Sequence, residues 1–410
     1  MKLSKQNKQV VFLYGSTLLG VLMGFLSSIV NTHFLNPVEY GNVRYVVNII
    51  HFVSALLLFG YFLSGSRLLA LSHHEQYSRR IRACMCVILG IAVGVLLLTV
   101  VVCYFVHLNK PEVSNLFLVA LPFCANALFL NYINTTAQGD NHIIRLSVAR
   151  LLPGLFYVPT AYLIYSHSGA TASKMILLQN GIPFFILLAV ILSTKPLFAK
   201  LSPVFQSLNE ENKSYGIQLY IGSLFMVASN YLAGIFLGIF NLDNQEVGFY
   251  SLALTVTSPL ATLPAIIGTT YFKKFASQSK IPDKVMKFSI LLTGGTCVLF
   301  ILIIKPLVSL FYSESYSIVG TYASWLAVGY SIHGLGDMIN RYLGSHGEGK
   351  AIRNSSIANG TFKIIGFTFI VYLFNTNGAI ATIIICDIIY LLSLVYYYRN
   401  YVRGSLPKIL

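Results

Sequence analysis

Pro37-Val38-Glu39-Tyr40-Gly41-Asn42-Val43-Arg44-Tyr45 stands before one long apolar run, and Asn244-Gln245-Glu246-Val247-Gly248-Phe249-Tyr250-Ser251-Leu252 stands before another. Glu39 to Glu246 and Gly41 to Gly248 are both 207 residues apart. A second pair of anchors follows the same rule: Gln138-Gly139-Asp140 with Arg145 returns 208 residues on as His346-Gly347-Glu348 with Arg353. The chain is therefore read as one unit used twice. The acidic residue and glycine of the first anchor also have a purely structural reading, since glycine permits a tight turn and a glutamate favours the first turn of the next helix.

Composition fixes the surroundings of that unit. The chain has 410 residues, 56% hydrophobic and only 10% charged, with a mean hydropathy of +0.71. Soluble domains carry about a quarter charged residues, so there are too few polar side chains here to solvate a soluble surface. An ordinary soluble enzyme, a disordered tail and a disulfide scaffold are excluded. Crossing a bilayer takes about 20 apolar residues in a helix. Runs bounded by charges and turn residues mark twelve such segments: 10–34, 43–66, 84–106, 116–135, 146–166, 175–194, 215–240, 247–270, 286–311, 318–339, 355–374 and 378–398. Helix is forced, because unpaired backbone in hydrocarbon is too costly and no alternating barrel pattern is present. The predicted fold is all-α and integral to the membrane: twelve transmembrane helices in two pseudosymmetric six-helix bundles, residues 1–200 and 201–410. Six is even, so both units start on the same side. That relates them by an axis along the membrane normal, with a cavity expected between them.

The formal charge of +15 comes from 28 Lys and Arg against 13 Asp and Glu. In a soluble chain this excess points to nucleic acid. Here the positives lie in short segments between apolar runs and set orientation instead, so no nucleic-acid partner is expected. Of the 28, 23 fall on one alternating set of segments, from Lys2, Lys5 and Lys8 to Arg399, Arg403 and Lys408. That side is assigned to the cytoplasm, and both termini with it. The run from Val10 to Phe34 is too long for a signal-peptide core and is read as the first span. The six cysteines lie in or beside apolar runs and read as small core residues. Cys84-Met85-Cys86, near His73 and His74, lacks the spacing of a zinc site, and no metal is expected.

Polar groups inside spans are costly and are functional candidates by default. Arg44, Asn48 and His51 share one face of the second span, which suits the wall of a polar cavity. An arginine snorkelling to the outer surface is the alternative. Lys363 and Asp387 each lie about nine residues into adjacent spans, near mid-bilayer at 1.5 Å per residue. They can pair, either as a structural device or as a cavity cation beside a proton-linked carboxylate. His333, Asp337 and Arg341 share a face of the tenth span and suit a coupling ion, an anion or simply a solvated helix end. Arg150 sits one turn inside the fifth span, and Lys305 precedes Pro306 near the outer end of the ninth. Gly347-Glu348-Gly349-Lys350 lacks the spacing of a phosphate-binding loop, and no nucleophile elbow or His-Glu-x-x-His motif occurs. Neither an enzyme nor a cofactor is expected.

Further segments carry a resemblance. They are Phe34-Leu35-Asn36-Pro37-Val38-Glu39-Tyr40-Gly41, Asn244 to Ser251 followed by Pro264-Ala265-Ile266-Ile267-Gly268, Lys305-Pro306-Leu307-Val308-Ser309-Leu310-Phe311-Tyr312-Ser313-Glu314-Ser315-Tyr316, and Asn377-Gly378-Ala379-Ile380-Ala381-Thr382. In order and placement the chain resembles the Wzx-type flippases of the multidrug/oligosaccharidyl-lipid/polysaccharide (MOP) superfamily, over essentially its whole length. The resemblance implies transport of an undecaprenyl-pyrophosphate-linked oligosaccharide, an O-antigen or capsule repeat unit, between leaflets of a bacterial inner membrane. It implies membrane lipids as surroundings, with a polysaccharide polymerase and a chain-length regulator as partners. It also implies a cationic lumen, for which Arg44, Lys305 and Lys363 are the candidates. The reading of the residues adds Asn48, His51 and Arg150 as substrate-binding candidates, and Asp337 and Asp387 for coupling to a proton or sodium gradient.

Two other readings stay open. A multidrug or metabolite antiporter predicts an acidic lumen, whereas cations outnumber carboxylates within these spans. A polymerase or lipid-linked glycosyltransferase needs a large outer loop, and the outer segments here are short and nearly chargeless.

Overall fold

The computed structural model describes residues 5–72, 74–140 and 142–405, and among these the side chains of 5–14, 17, 18, 143, 222, 223, 225–229, 273 and 405 are left aside. Lys2, His73 and Lys408 lie outside the described residues. Among the described residues the chain is helical throughout, without a strand. In order the helices are α1 (Lys5–Phe34), α2 (Pro37–Leu56), α3 (Tyr61–Leu71), α4 (Glu75–Val106), α5 (Pro111–Ala120), α6 (Asn126–Gly139), α7 (Ile143–Ser168), α8 (Ala172–Ser193) and α9 (Ser202–Glu211). They continue as α10 (Ile217–Phe240), α11 (Gln245–Thr257), α12 (Pro259–Phe275), α13 (Asp283–Phe311), α14 (Ile318–Ser345) and α15 (Gly349–Ser405).

Helix occupies most of every span expected from the sequence, but 43–66 is broken between Leu56 and Tyr61 and 116–135 between Ala120 and Asn126. Among the described residues seven stretches are long and apolar enough to cross a membrane, and eight if α2 and α3, bent by 58°, form one span. α5 and α6 act as one such stretch, Pro111–Gly139, and α11 with most of α12 as another, Gln245–Phe272. α15 holds two expected spans: Asn375, at φ 48 and ψ −132, breaks it into an antiparallel pair. Ser355 to Ser393 (2.8 Å) and Asn354 to Tyr397 (3.2 Å) zip that pair together. α14 falls outside the apolar set because glycines, tyrosines, His333 and Asp337 dilute it. α9 is a correction of detail: the segment 195–214, expected as a loop, contains a helix.

α4 shows how sequence becomes membrane structure. Leu89, Ala92, Leu96 and Val100 are buried, while Ile91, Leu98, Val102 and Val106 on the other face are exposed. A helix apolar on both faces is what a lipid-facing span requires.

The chain divides into two compact units, Met1–Tyr231 and Leu232–Leu410. In unit 1, α7 packs between α1 and α8, and α6 meets α3 and α8. Tyr157 donates to Asn31 Oδ1 at 2.6 Å to lock α7 on α1. In unit 2, α14 is central, packed by α11, α12, α13 and α15. Gly334 allows this, since a Cβ there would lie 2.7 Å from the Ala261 carbonyl. Small residues let membrane helices approach closely in this way.

The two Glu-x-Gly anchors both serve helix starts. Asn36 caps α2, accepting from the Glu39 N–H at 2.9 Å and returning its own amide to Glu39 at 3.0 Å, a reciprocal box. Glu246, in the first turn of α11, accepts from Tyr322 at 3.1 Å and Thr376 at 2.5 Å. At the end of unit 1 expected to be cytoplasmic, Arg82 is buried and pairs with Asp140 at 3.1 Å and Glu75 at 3.0 Å. It also donates to the Thr194 carbonyl, which ties the start of segment 195–214 to α4. Burial pushes the Asp140 carboxyl above its ordinary value, with Arg82, His142 and Arg145 pulling it back.

Candidate functional site

Unit 1 encloses a cavity of about 610 Å³ between α1, α2, α6, α7 and α8, closed on one side by Tyr231 of α10. Two of the predicted residues line it. His51 faces Tyr231 edge-on with ring centroids 5.5 Å apart, and Arg150 donates to Asn134 Oδ1 at 3.1 Å. Arg44 and Asn48 are half-buried on the same face of α2 as His51 but do not line the cavity. Arg44 Nε is buried without a hydrogen-bond partner, and its charge reaches His51 and Tyr231 electrostatically. Among the lining residues Arg150 is the one Lys or Arg, and there is no Asp or Glu.

Prolines shape this wall. Pro153 in α7 and Pro183 in α8 sit inside helices and line the cavity. Each withdraws the N–H that would bond the carbonyl four residues back, at Ala149 and Gln179, both also lining residues. Amides dominate the polar lining, and sequence reasoning, which named Asn48 alone among the amides, missed them. Asn126 Nδ2 donates to the Asn180 carbonyl at 2.8 Å and approaches Asn180 Oδ1 at 3.5 Å. Asn126 Oδ1, Gln179 Oε1 and Asn180 Nδ2 are buried and unpartnered. The available signal was polar amides inside apolar runs, which carry the same functional presumption as charges.

Unit 2 gathers a second cluster. Lys363 Nζ lies 3.8 Å from Asp387 Oδ1, with both residues buried. His333 Nδ1 is 3.0 Å from the same Asp387 oxygen. Asp337 stands 3.9 Å from His333 and accepts from Tyr390 at 3.1 Å, and Asn340 donates to Tyr390 at 2.8 Å. The rings of His333 and Tyr390 stack at 5.0 Å. Tyr390 and Asn340 are members that the sequence reading did not name. Arg341 is exposed and outside the cluster, as is Lys305, whose backbone abuts Gly320.

The two sites share a spacing. His333 and Asp387 stand 207 residues after Asn126 and Asn180, and each pair is in contact. Unit 1 holds a neutral amide pair where unit 2, at that spacing, holds an ionisable pair.

Comparison with known proteins follows from this architecture. The model of a family described as polysaccharide biosynthesis protein matches residues 7–272. The chain belongs to the polysaccharide biosynthesis protein family. That match runs through unit 1 from residue 7 onward and into α12. Solved structures extend the likeness of this family member to the whole fold. Lipid II flippase MurJ, in an inward closed conformation, matches with a TM-score of 0.68 at 13% identity, over 97% of this chain and 90% of that one. A multidrug resistance MATE family transporter of the MOP superfamily, inward-facing, matches with 0.66 at 14% identity, over 95% and 96%. A MOP superfamily transporter from Pyrococcus furiosus Vc1 matches with 0.60 at 14% identity, over 96% of each chain. These likenesses establish the fold, that of multi-pass membrane transporters. No curated protein matches the sequence.

Proposed function

We propose that this family member is a flippase that moves an undecaprenyl-pyrophosphate-linked oligosaccharide, an O-antigen or capsule repeat unit, from the inner to the outer leaflet of a bacterial inner membrane by alternating access. Both termini are cytoplasmic in this reading, no chemistry is performed on the substrate, and a polymerase with its chain-length regulator receives the product. The observation that carries it is the polarity of the unit 1 cavity: a guanidinium and several amides, with no carboxylate in the lining. Carrying a pyrophosphate and sugars through hydrocarbon would be prohibitive. Fixed positive charge and hydrogen-bonding groups lower that barrier, while the polyprenyl tail remains in lipid.

Arg150 and Arg44 meet the pyrophosphate, and Asn48 and His51 complete their face of α2. Lys305 supplies a further cation on α13. Asp387 and Asp337 couple the cycle to an ion gradient. Protonation of Asp387 would release Lys363, which then becomes available to an anion. A cation-extruding antiporter is disfavoured by the same cavity, whose lining lacks an acidic group to receive a cationic drug.

The test is deletion of the gene, with surface polysaccharide and the leaflet position of the lipid-linked repeat as readouts, and complementation by wild type, Arg150→Gln and Lys363→Ala. Cytoplasmic-leaflet accumulation cured by wild type alone is the expected result. Normal polysaccharide and normal leaflet distribution after deletion would refute the flippase.

A further inference from the structure

We propose that the unit 1 cavity is a glycan-reading subsite, a carboxamide cradle that selects an uncharged, hydroxyl-rich sugar beside the pyrophosphate. The inference rests on the flippase reading and deepens it by assigning the substrate class that this cavity takes. Its volume of about 610 Å³ falls among ligand pockets of roughly 300–1,000 Å³.

The chemistry of the wall decides the class of ligand. A carboxamide offers two donors and an acceptor side by side, which matches neighbouring hydroxyls that each donate one hydrogen bond and accept others. Three such groups present unused atoms: Asn126 Oδ1, Gln179 Oε1 and Asn180 Nδ2 are buried and find no partner among the described residues. Asn180 is 8% exposed. A buried polar atom left unpaired is costly, so a wall carrying three of them is built to be completed by a ligand. The carbonyls of Ala149 and Gln179, from which Pro153 and Pro183 withdraw their helical donors, add acceptors. Between these polar groups, Val47, Leu130 and Leu187 give apolar surface against which the C–H faces of a sugar ring pack.

A second contacting pair in the chain supplies a comparison. At a spacing of 207 from Asn126 and Asn180, unit 2 carries His333 and Asp387, which are ionisable and already joined at 3.0 Å. Unit 1 keeps the same contact but makes it neutral and leaves part of its hydrogen-bonding capacity free. A neutral pair in that place discriminates by hydroxyl geometry rather than by charge. Sites built to hydrogen-bond a hydroxyl reject analogues that lack it far more strongly than apolar pockets reject size.

The experiment uses the lipid-linked glycan that accumulates in the deletion strain, the free glycan released from it by mild acid, and bare undecaprenyl pyrophosphate. Binding of each to the purified full chain in detergent is measured for wild type, Gln179→Leu, Asn180→Leu and the milder Asn131→Ala. Wild type should bind the free glycan. Gln179→Leu and Asn180→Leu should weaken that binding about tenfold or more, as loss of a buried hydrogen bond to a ligand does, and Asn131→Ala should weaken it less. All three should retain affinity for bare undecaprenyl pyrophosphate, which also certifies that they are folded. The subsite is overturned if wild type does not bind the free glycan. It is equally overturned if the folded variants bind it as wild type does, or if they lose glycan and bare lipid in equal measure. If no lipid-linked glycan accumulates on deletion, the flippase reading itself falls and takes the subsite with it.

Discussion

Asn180 and Asp387 stand 207 residues apart, and each contacts a residue of a second pair with the same spacing, Asn126 or His333. In unit 1 the contact is between neutral amides. In unit 2 a third residue, Lys363, adds a buried cation 3.8 Å from the carboxylate. The cluster thus holds charge where its counterpart holds none, in surroundings where breaking a buried pair is far costlier than replacing all of it.

Replacing Asp387 alone should therefore be the harsher change. Asp387→Asn leaves Lys363 buried beside a neutral group and should lower unfolding stability by about 3 kcal/mol, read as an earlier thermal transition in detergent. The triple variant His333→Asn, Lys363→Met, Asp387→Asn installs the unit 1 amide pair and should recover most of that loss. It should nevertheless not translocate substrate. A triple variant that transports at the wild-type rate would remove the cluster from the coupling mechanism.

Arg150 offers a cleaner separation of binding from folding. Its side chain is exposed to the cavity and its hydrogen-bond partner, Asn134, is a neutral amide. Arg150→Gln should keep the fold and its thermal transition within about 1 kcal/mol of wild type. The lipid-linked repeat should then collect in the cytoplasmic leaflet, with tenfold or weaker affinity for bare undecaprenyl pyrophosphate. Arg150→Lys should recover part of that affinity, because a lysine restores the charge but not the planar fork.

Gly216 is held at a close crossing between the bend after α2 and the π-helical turn before α10. A Cβ there would lie 2.0 Å from Ser64 Oγ and 2.6 Å from the carbonyl of Gly60, itself at φ +78. Gly216→Ala should destabilise unit 1 by about 1–3 kcal/mol through overpacking. Gly15→Ala, where nothing stands within 4 Å, serves as the control and should leave the thermal transition in place.

Asp140 makes a pH-dependent contribution. Burial raises its carboxyl value in the folded chain above the ordinary one, so the folded state binds more protons than the unfolded state across that interval. Stability is fully present below the unfolded value and declines as pH rises through the folded one. Thermal scans from pH 4 upward should show that decline in wild type, and Asp140→Asn should flatten it. An identical slope in both proteins would place the titration elsewhere.

Much of this architecture was legible because lipid writes plainly in sequence. Apolar runs located helical structure at every expected span, without showing the breaks inside 43–66 and 116–135, and the depth of Lys363 and Asp387, counted from their helix ends, foretold their contact. The start of α4 was not legible in the same way. Glu75 to Arg82 is polar, so an apolar run begins only near Cys84, yet the helix reaches back to Glu75 because Arg82 finds Glu75 and Asp140 as partners. α9 was missed for the same reason, being helical without being apolar. The cavity was half legible: His51 and Arg150 drew notice as ionisable groups, whereas Asn126, Gln179 and Asn180 carry no charge. Their importance arises from where α6 and α8 bring them together, which no count of charges reveals.

Glu246 joins the start of α11 to Tyr322 of α14 and to Thr376, beside the break in α15. Those partners lie 76 and 130 residues further along the chain. During synthesis the carboxylate emerges well before either hydroxyl exists, so it must wait in water or at the membrane surface. Tyr322 arrives first, with α14, and Thr376 at the break in α15 closes the clasp. Assembly of unit 2 is in this sense completed from its end: a ribosome halted before Thr376 would leave the carboxylate with Tyr322 but without its second donor.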